Sequence, residues 1–156
     1  PVESVTELYE SGQYHDILDL FVGIAEEAPE DPEADPEYWK SVAAQLSFQR
    51  DVLNVYAAND LDVLLCPDAQ ILPPKADAIE AGELDTLTFP TNTVLASQSG
   101  LCAVSVPAGL TDEGLPVGVE LIGKPYNEST LLSLAHAYEQ ETNPRRPPET
   151  APELDG

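Results

Sequence analysis

The sequence predicts an α/β fold, a small mixed sheet flanked by helices, and three observations carry the prediction. Residues 102–109 (CAVSVPAG) and 115–123 (LPVGVELIG) are short apolar segments with β-branched residues at alternating positions. Between them, residues 111–114 (TDEG) form a turn signal rich in acid, hydroxyl and glycine, so the two segments read as adjacent strands. A third segment, residues 61–67 (LDVLLCP), is a nearly uninterrupted apolar run of strand length, expected to be buried on both faces. Elsewhere apolar residues recur at helical spacing. Strands are expected at least over 61–67, 103–107 and 117–122, and helices near 14–27, 37–58, 90–99 and 128–141.

Taken in order, residues 4–27 read as helix with one interruption. Tyr14, Ile17, Leu18, Phe21, Ile24 and Ala25 form its apolar stripe, while Asp16, Asp19, Glu26 and Glu27 occupy other faces. His15 reads as a surface residue. Residues 29–36 (PEDPEADP) cannot continue a helix and read as a solvated connector, in preference to a metal-binding acidic loop. Asp35-Pro36 opens the next helix with an acidic cap and a proline whose missing N–H costs nothing there. Trp39, Val42, Ala43, Leu46, Leu53 and Tyr56 give that helix a long stripe, with Trp39 as a core anchor. Residues 70–84, with Pro73, Pro74 and Gly82, read as loop. A helix follows from near Pro90 to Gly100. Val104, Val106, Val117, Val119 and Ile122 then supply the apolar surface of the strand pair. The last helix has Asn127 as its cap, Glu128 at the positive end of its dipole, and Leu131, Leu134, Ala135 and Tyr138 on its buried side. His136 sits among polar neighbours and needs no special role. Residues 1–142 are expected to form one domain and 143–156 a flexible proline-rich tail. The tail carries the Arg145-Arg146 pair, able to clip it to an acidic body.

With 156 residues, 42% of them apolar, the chain suits one globular domain. No apolar run approaches the roughly 20 residues of a membrane-spanning helix. No basic-then-apolar leader is present, so the Asn127-Glu128-Ser129 sequon reads as a helix start and a cytoplasmic location is expected. Acidic residues number 29 against 6 basic ones, a net charge of −23. Such a chain is read as salt-adapted, as in a halophile, because screening at high salt relieves its self-repulsion. A nucleic-acid-binding face is excluded for want of a basic patch. Cys66 and Cys102, both in strand segments, read as small buried apolar residues in a reducing compartment. With only His15 and His136 to join them, no metal site and no cofactor are expected.

The order of motifs across residues 85–123 goes further. F-P-T-N is followed by a helix of small residues, a glycine, a strand ending V-P-A-G, then T-D-E-G-L-P-V-G and a strand ending L-I-G. This order resembles the carboxyl-terminal part of the amidase signature family, strongly from about Asp62 to Glu141. That family hydrolyses amides and includes the amidase subunit of the glutamyl-tRNA amidotransferases. The resemblance implies a partial amidase-signature fold. It also implies chemistry through a serine nucleophile, a second serine on a cis peptide bond and a lysine, all in the amino-terminal half of a family member. This chain has no Ser-Ser pair, no Gly-Gly pair and no glycine- and serine-rich segment. It begins at Pro1 and contains no methionine, and the expectation is a truncated chain.

Carried over by position, Asp85, Thr88, Phe89 and Asn92 are the candidate pocket-lining residues. For Asp85 and Thr88 a helix cap is an equal alternative. Asp68-Ala69-Gln70 replaces the threonine-rich run usual at the end of the 61–67 strand, which bears on substrate preference. Ser97, Ser99 and Ser105 have no lysine or histidine in a recognisable arrangement, so the isolated chain is expected to be inactive. Two further readings stand beside this one: a non-catalytic partner of a chain bearing the catalytic half, and a decayed homologue.

Overall fold

The computed structural model describes residues 2–15, 18–29, 31–84, 89 and 91–146. They fall into two units, one within Pro1–Ala44 and Pro73–Pro90, the other within Gln45–Leu72 and Thr91–Gly156.

In the first unit, α1 (Val5–Ser11) is opened by Ser4, whose hydroxyl accepts from the Glu7 N–H. It closes on Gly12 in the left-handed region, a position that glycine occupies without a Cβ penalty. Tyr14 stacks on Tyr9 and meets Phe21 edge-on, which ties α1 to α2 (Asp19–Glu27). The expected stripe is only partly covered, since Leu18 and Ile24 are exposed; Ile17 lies outside the described residues. The connector contains a short 3-10 turn at Pro32–Ala34. As expected, Asp35 Oδ1 then accepts from the Glu37 N–H at the start of α3 (Pro36–Asn59). Trp39 is not a core anchor. It is exposed, and its indole N–H donates to the Glu33 carbonyl at 2.8 Å, holding the connector to the helix start. Residues 70–84, expected as loop, include the five-residue α4 (Ala76–Glu80).

The second unit holds the sheet, of β1 (Val63–Pro67), β2 (Cys102–Leu110) and β3 (Pro116–Gly123), in the order β1-β3-β2. A mixed sheet was expected; both pairings are antiparallel. The reason is local. β2 and β3 form a hairpin whose turn closes through the Thr111 N–H on the Leu115 carbonyl, 2.9 Å, with Gly114 at positive φ. β1 adds to the other side of β3.

One face carries Leu64, Cys66 and Ile122, packed with Val52 and Tyr56 of α3 and with Ala96 of α5 (Val94–Ser99). The other carries Val104, Val106 and Leu121, packed on Leu131 and Ala135 of α6 (Glu128–Thr142). Within α3 the buried pair is Val52 and Tyr56, while Leu46 of the expected stripe is 59% exposed. Leu134 of α6 is likewise exposed. β1 is not buried on both faces, because α6 packs over β2 and β3 and leaves Leu65 61% exposed. α5 begins at Val94, not near Pro90, because Thr91 bridges to Ala69 and draws the preceding backbone into an extended pairing.

Candidate functional site

The end of β1 is where this chain concentrates its unusual polar groups. Past Pro67 the Asp68 N–H still donates to the Gly118 carbonyl, 3.2 Å, so the pairing with β3 runs one residue further. The Asp68 carbonyl accepts from the Asn92 N–H at 2.9 Å and from the Thr91 hydroxyl at 3.1 Å. The Asn92 side chain donates to the Pro67 carbonyl at 2.7 Å, and its Oδ1 accepts from the Gln70 amide at 3.1 Å. Both ends of that amide therefore lash the segment before α5 to the end of β1. Of the other candidate pocket residues, Phe89 is half-buried in the first unit, and Asp85 and Thr88 lie outside the described residues.

Antiparallel register aligns Cys66, Glu120 and Ser105 in one row across the sheet, because Glu120 pairs with Cys66 on one side and Ser105 on the other. Glu120 is only 5% exposed, and its Oε2 is buried without a hydrogen-bond partner. Asp68 lies beside this row: its Oδ1 accepts from the Ser105 hydroxyl at 3.1 Å. Its other carboxylate oxygen lies over Gly118, where a Cβ would stand 2.0 Å from it, so the carboxylate occupies space that only glycine leaves open. Burial pushes the Glu120 carboxyl above its ordinary pKa, and the Asp68 charge adds to the shift. Burial also raises the Cys66 thiol, helped by the charges of Glu120 and Asp68. A raised thiol pKa makes Cys66 a poor nucleophile. Both cysteines are free, and Cys102 Sγ donates to the Lys124 carbonyl at 2.9 Å.

Beside this row runs a groove of about 480 Å³, with Asp68, Ser105 and Gly118 on its floor and the bulge at Pro107–Gly109 at its side. Pro144, Arg145 and Arg146 also line it. The arginine pair forms no ion pair among the described residues, so the expected clip to an acidic body is not formed there. The serines are committed to oxygen acceptors. Ser97 donates to the Val94 carbonyl at 3.1 Å, Ser99 to that of Leu95 at 2.6 Å, and Ser105 to Asp68. In the sequence Glu120 hides inside a strand whose apolar character dominates. The available signal is its position: an acid in phase with Ile122, on a face that faces a helix.

These features can be set against known proteins. A family model described as Amidase matches residues 3–132. The chain belongs to the amidase family. It is 35% identical over 113 residues to the A subunit of the glutamyl-tRNA(Gln) amidotransferase of Geobacter sp. (strain M21), covering 69% of this chain and 22% of that protein. With the corresponding protein of Parvibaculum lavamentivorans (strain DS-1 / DSM 13023 / NCIMB 13966) identity is 38% over 118 residues, 74% of this chain and 23% of the other. The native peptide amidase from Stenotrophomonas maltophilia superposes with a TM-score of 0.65 at 28% identity, covering 96% of this chain and 30% of that one. The sheet and its helices therefore match part of the amidase-signature fold. The chain spans about 22% of the length of the first of these curated relatives.

Proposed function

We propose that this chain is the carboxyl-terminal portion of an amidase-like hydrolase acting on carbon–nitrogen amide bonds. It supplies strands and one wall of a substrate pocket, with Asp85, Thr88, Phe89 and Asn92 lining that wall. The nucleophilic serine, the second serine and the lysine come from polypeptide outside these 156 residues. The observation that carries this reading is the family match over residues 3–132 combined with relatives of which the chain spans about 22%. Amide hydrolysis needs an activated nucleophile and donors for the tetrahedral oxyanion. The Ser97 and Ser99 hydroxyls are spent on helix carbonyls and Ser105 faces a carboxylate, which supports an origin of the nucleophile elsewhere. In this reading residues 1–142 belong to the amidase-like part and 143–156 are a tail, and the protein works in a cytoplasm rich in salt.

A second reading makes the chain the partner of a separate catalytic polypeptide in a split amidase or amidotransferase. It is favoured by apolar side chains left in water on the second unit, among them Leu46 at 59% and Leu65 at 61% exposure. Surfaces of that kind mark contacts with other polypeptide. Ammonia release from amide substrates tests the central claim. The pure chain releases none; turnover that disappears on Ser105→Ala overturns the proposal. Activity of a peptide amidase chimera in which this chain replaces the matching segment supports it.

A further inference from the structure

We propose that Arg145 and Arg146 make the groove beside the sheet a binding site for a small organic carboxylate, its charged end on the guanidinium groups and its apolar stem along the groove. The site goes beyond the hydrolytic reading, since binding a carboxylate requires no amide cleavage.

The two arginines are the only adjacent pair among the six basic residues of a chain of net charge −23. The end of α6 delivers them. The helix closes on Asn143 at φ 41°, a left-handed turn that asparagine tolerates, and Pro144 cannot continue it. Pro144, Arg145 and Arg146 then line the groove. Among the described residues neither guanidinium is in an ion pair, although the sequence holds 29 acids. Asp68, the acid of the lining, is engaged on the floor: its Oδ1 accepts from the Ser105 hydroxyl at 3.1 Å and its other oxygen lies over Gly118. Two guanidinium groups against one carboxylate leave the lining net positive. An incoming carboxylate matches a guanidinium with two parallel N–H···O bonds, and arginine does not lose its charge. Most of the remaining lining is apolar. Pro107, Leu110, Pro116 and Val117 border a groove of about 480 Å³, which is of small-molecule size. Leu110 is 46% exposed, and an apolar stem in the groove covers it.

The experiment follows the backbone amide NMR shifts of Ser105, Gly109, Leu110 and Val117 in the full chain, at one fixed ionic strength of KCl that keeps it folded. Hexanoate is the probe, with hexanol and hexylammonium as controls. Hexanoate moves these amides saturably, and each control binds roughly tenfold more weakly. The double variant Arg145→Gln with Arg146→Gln is altered at exposed positions only, so it keeps its fold, and it binds hexanoate roughly tenfold more weakly than the parent. The absence of a saturable shift with hexanoate overturns the proposal. So does hexanol or hexylammonium binding as tightly as hexanoate, which means that the groove takes the stem alone, or an affinity for hexanoate unchanged in the double variant.

Discussion

Glu120 shows how a single side chain records the cost of burial. Its carboxyl is raised by desolvation first and by the Asp68 charge second, so the folded state holds its proton more tightly than the unfolded chain does. A folded pKa above the unfolded one gives stability that is fully present below the unfolded value, about 4.3 for glutamate. That stability is lost as pH rises through the folded value. Glu120→Gln removes the titration. The variant is therefore expected to be more stable than the parent at pH 7 by about 1 kcal/mol, with the difference vanishing toward pH 4. Thermal midpoints from pH 4 to 8 check this; a constant difference across the range refutes it. The sequence carried half of this site. Asp68 stood out because it replaces a threonine-rich run, and Asn92 because it belongs to a recognisable motif. Ser105 read only as a serine without a basic partner and Glu120 not at all, because only antiparallel register, which depends on the hairpin and on β1 joining β3, sets them side by side next to Asp68.

At the scale of the element, α3 and β1 show what periodicity can and cannot predict. The helical spacing of α3 is correct over Pro36–Asn59, but its apolar stripe is longer than the surface available to cover it. Val52 and Tyr56 meet the sheet, and Leu46 does not. Spacing reports which residues share a face; it does not report how far a neighbour extends. The same holds for β1, whose apolar run implied cover on both faces while α6, packed over β2 and β3, leaves Leu65 exposed. The attachment of α3 to the sheet is anchored by the Tyr56 hydroxyl, which donates to the Ile122 carbonyl at 2.6 Å in a buried setting. Lys124 adds a cation over the Tyr56 ring, 5.8 Å from its centre. Tyr56→Phe keeps the ring and its packing and leaves that carbonyl without this donor. The expected loss is about 1–2 kcal/mol, read from urea unfolding as a lower midpoint at unchanged slope. An unchanged midpoint would mean that the hydroxyl contributes nothing net to holding α3 on the sheet.

For the molecule as a whole the decisive quantity is charge. A net −23 spread over 156 residues leaves acids facing acids. Within the described residues the ion pair between Lys40 and Glu37 is exposed, and a pair of that kind contributes little. The apolar side is modest: the buried apolar residues among those described all lie in the second unit, in clusters around Ile122 and Leu121. Repulsion of this size acts against a core of that size, and salt changes the balance by shortening the screening length from about 10 Å at 0.1 M to about 3 Å at 1 M. Stability is thus expected to rise between 0.1 and 2 M KCl by roughly 2–3 kcal/mol, or about 10 °C in thermal midpoint. Salt also strengthens apolar burial in general, so the slope alone does not identify its cause. Replacing several exposed acids, such as Glu10, Glu27, Asp51 and Glu139, by their amides separates the two. If repulsion is the cause, the amide variant is more stable at 0.1 M KCl and its midpoint climbs less with added salt. A slope identical to the parent's would assign the salt dependence to apolar burial instead.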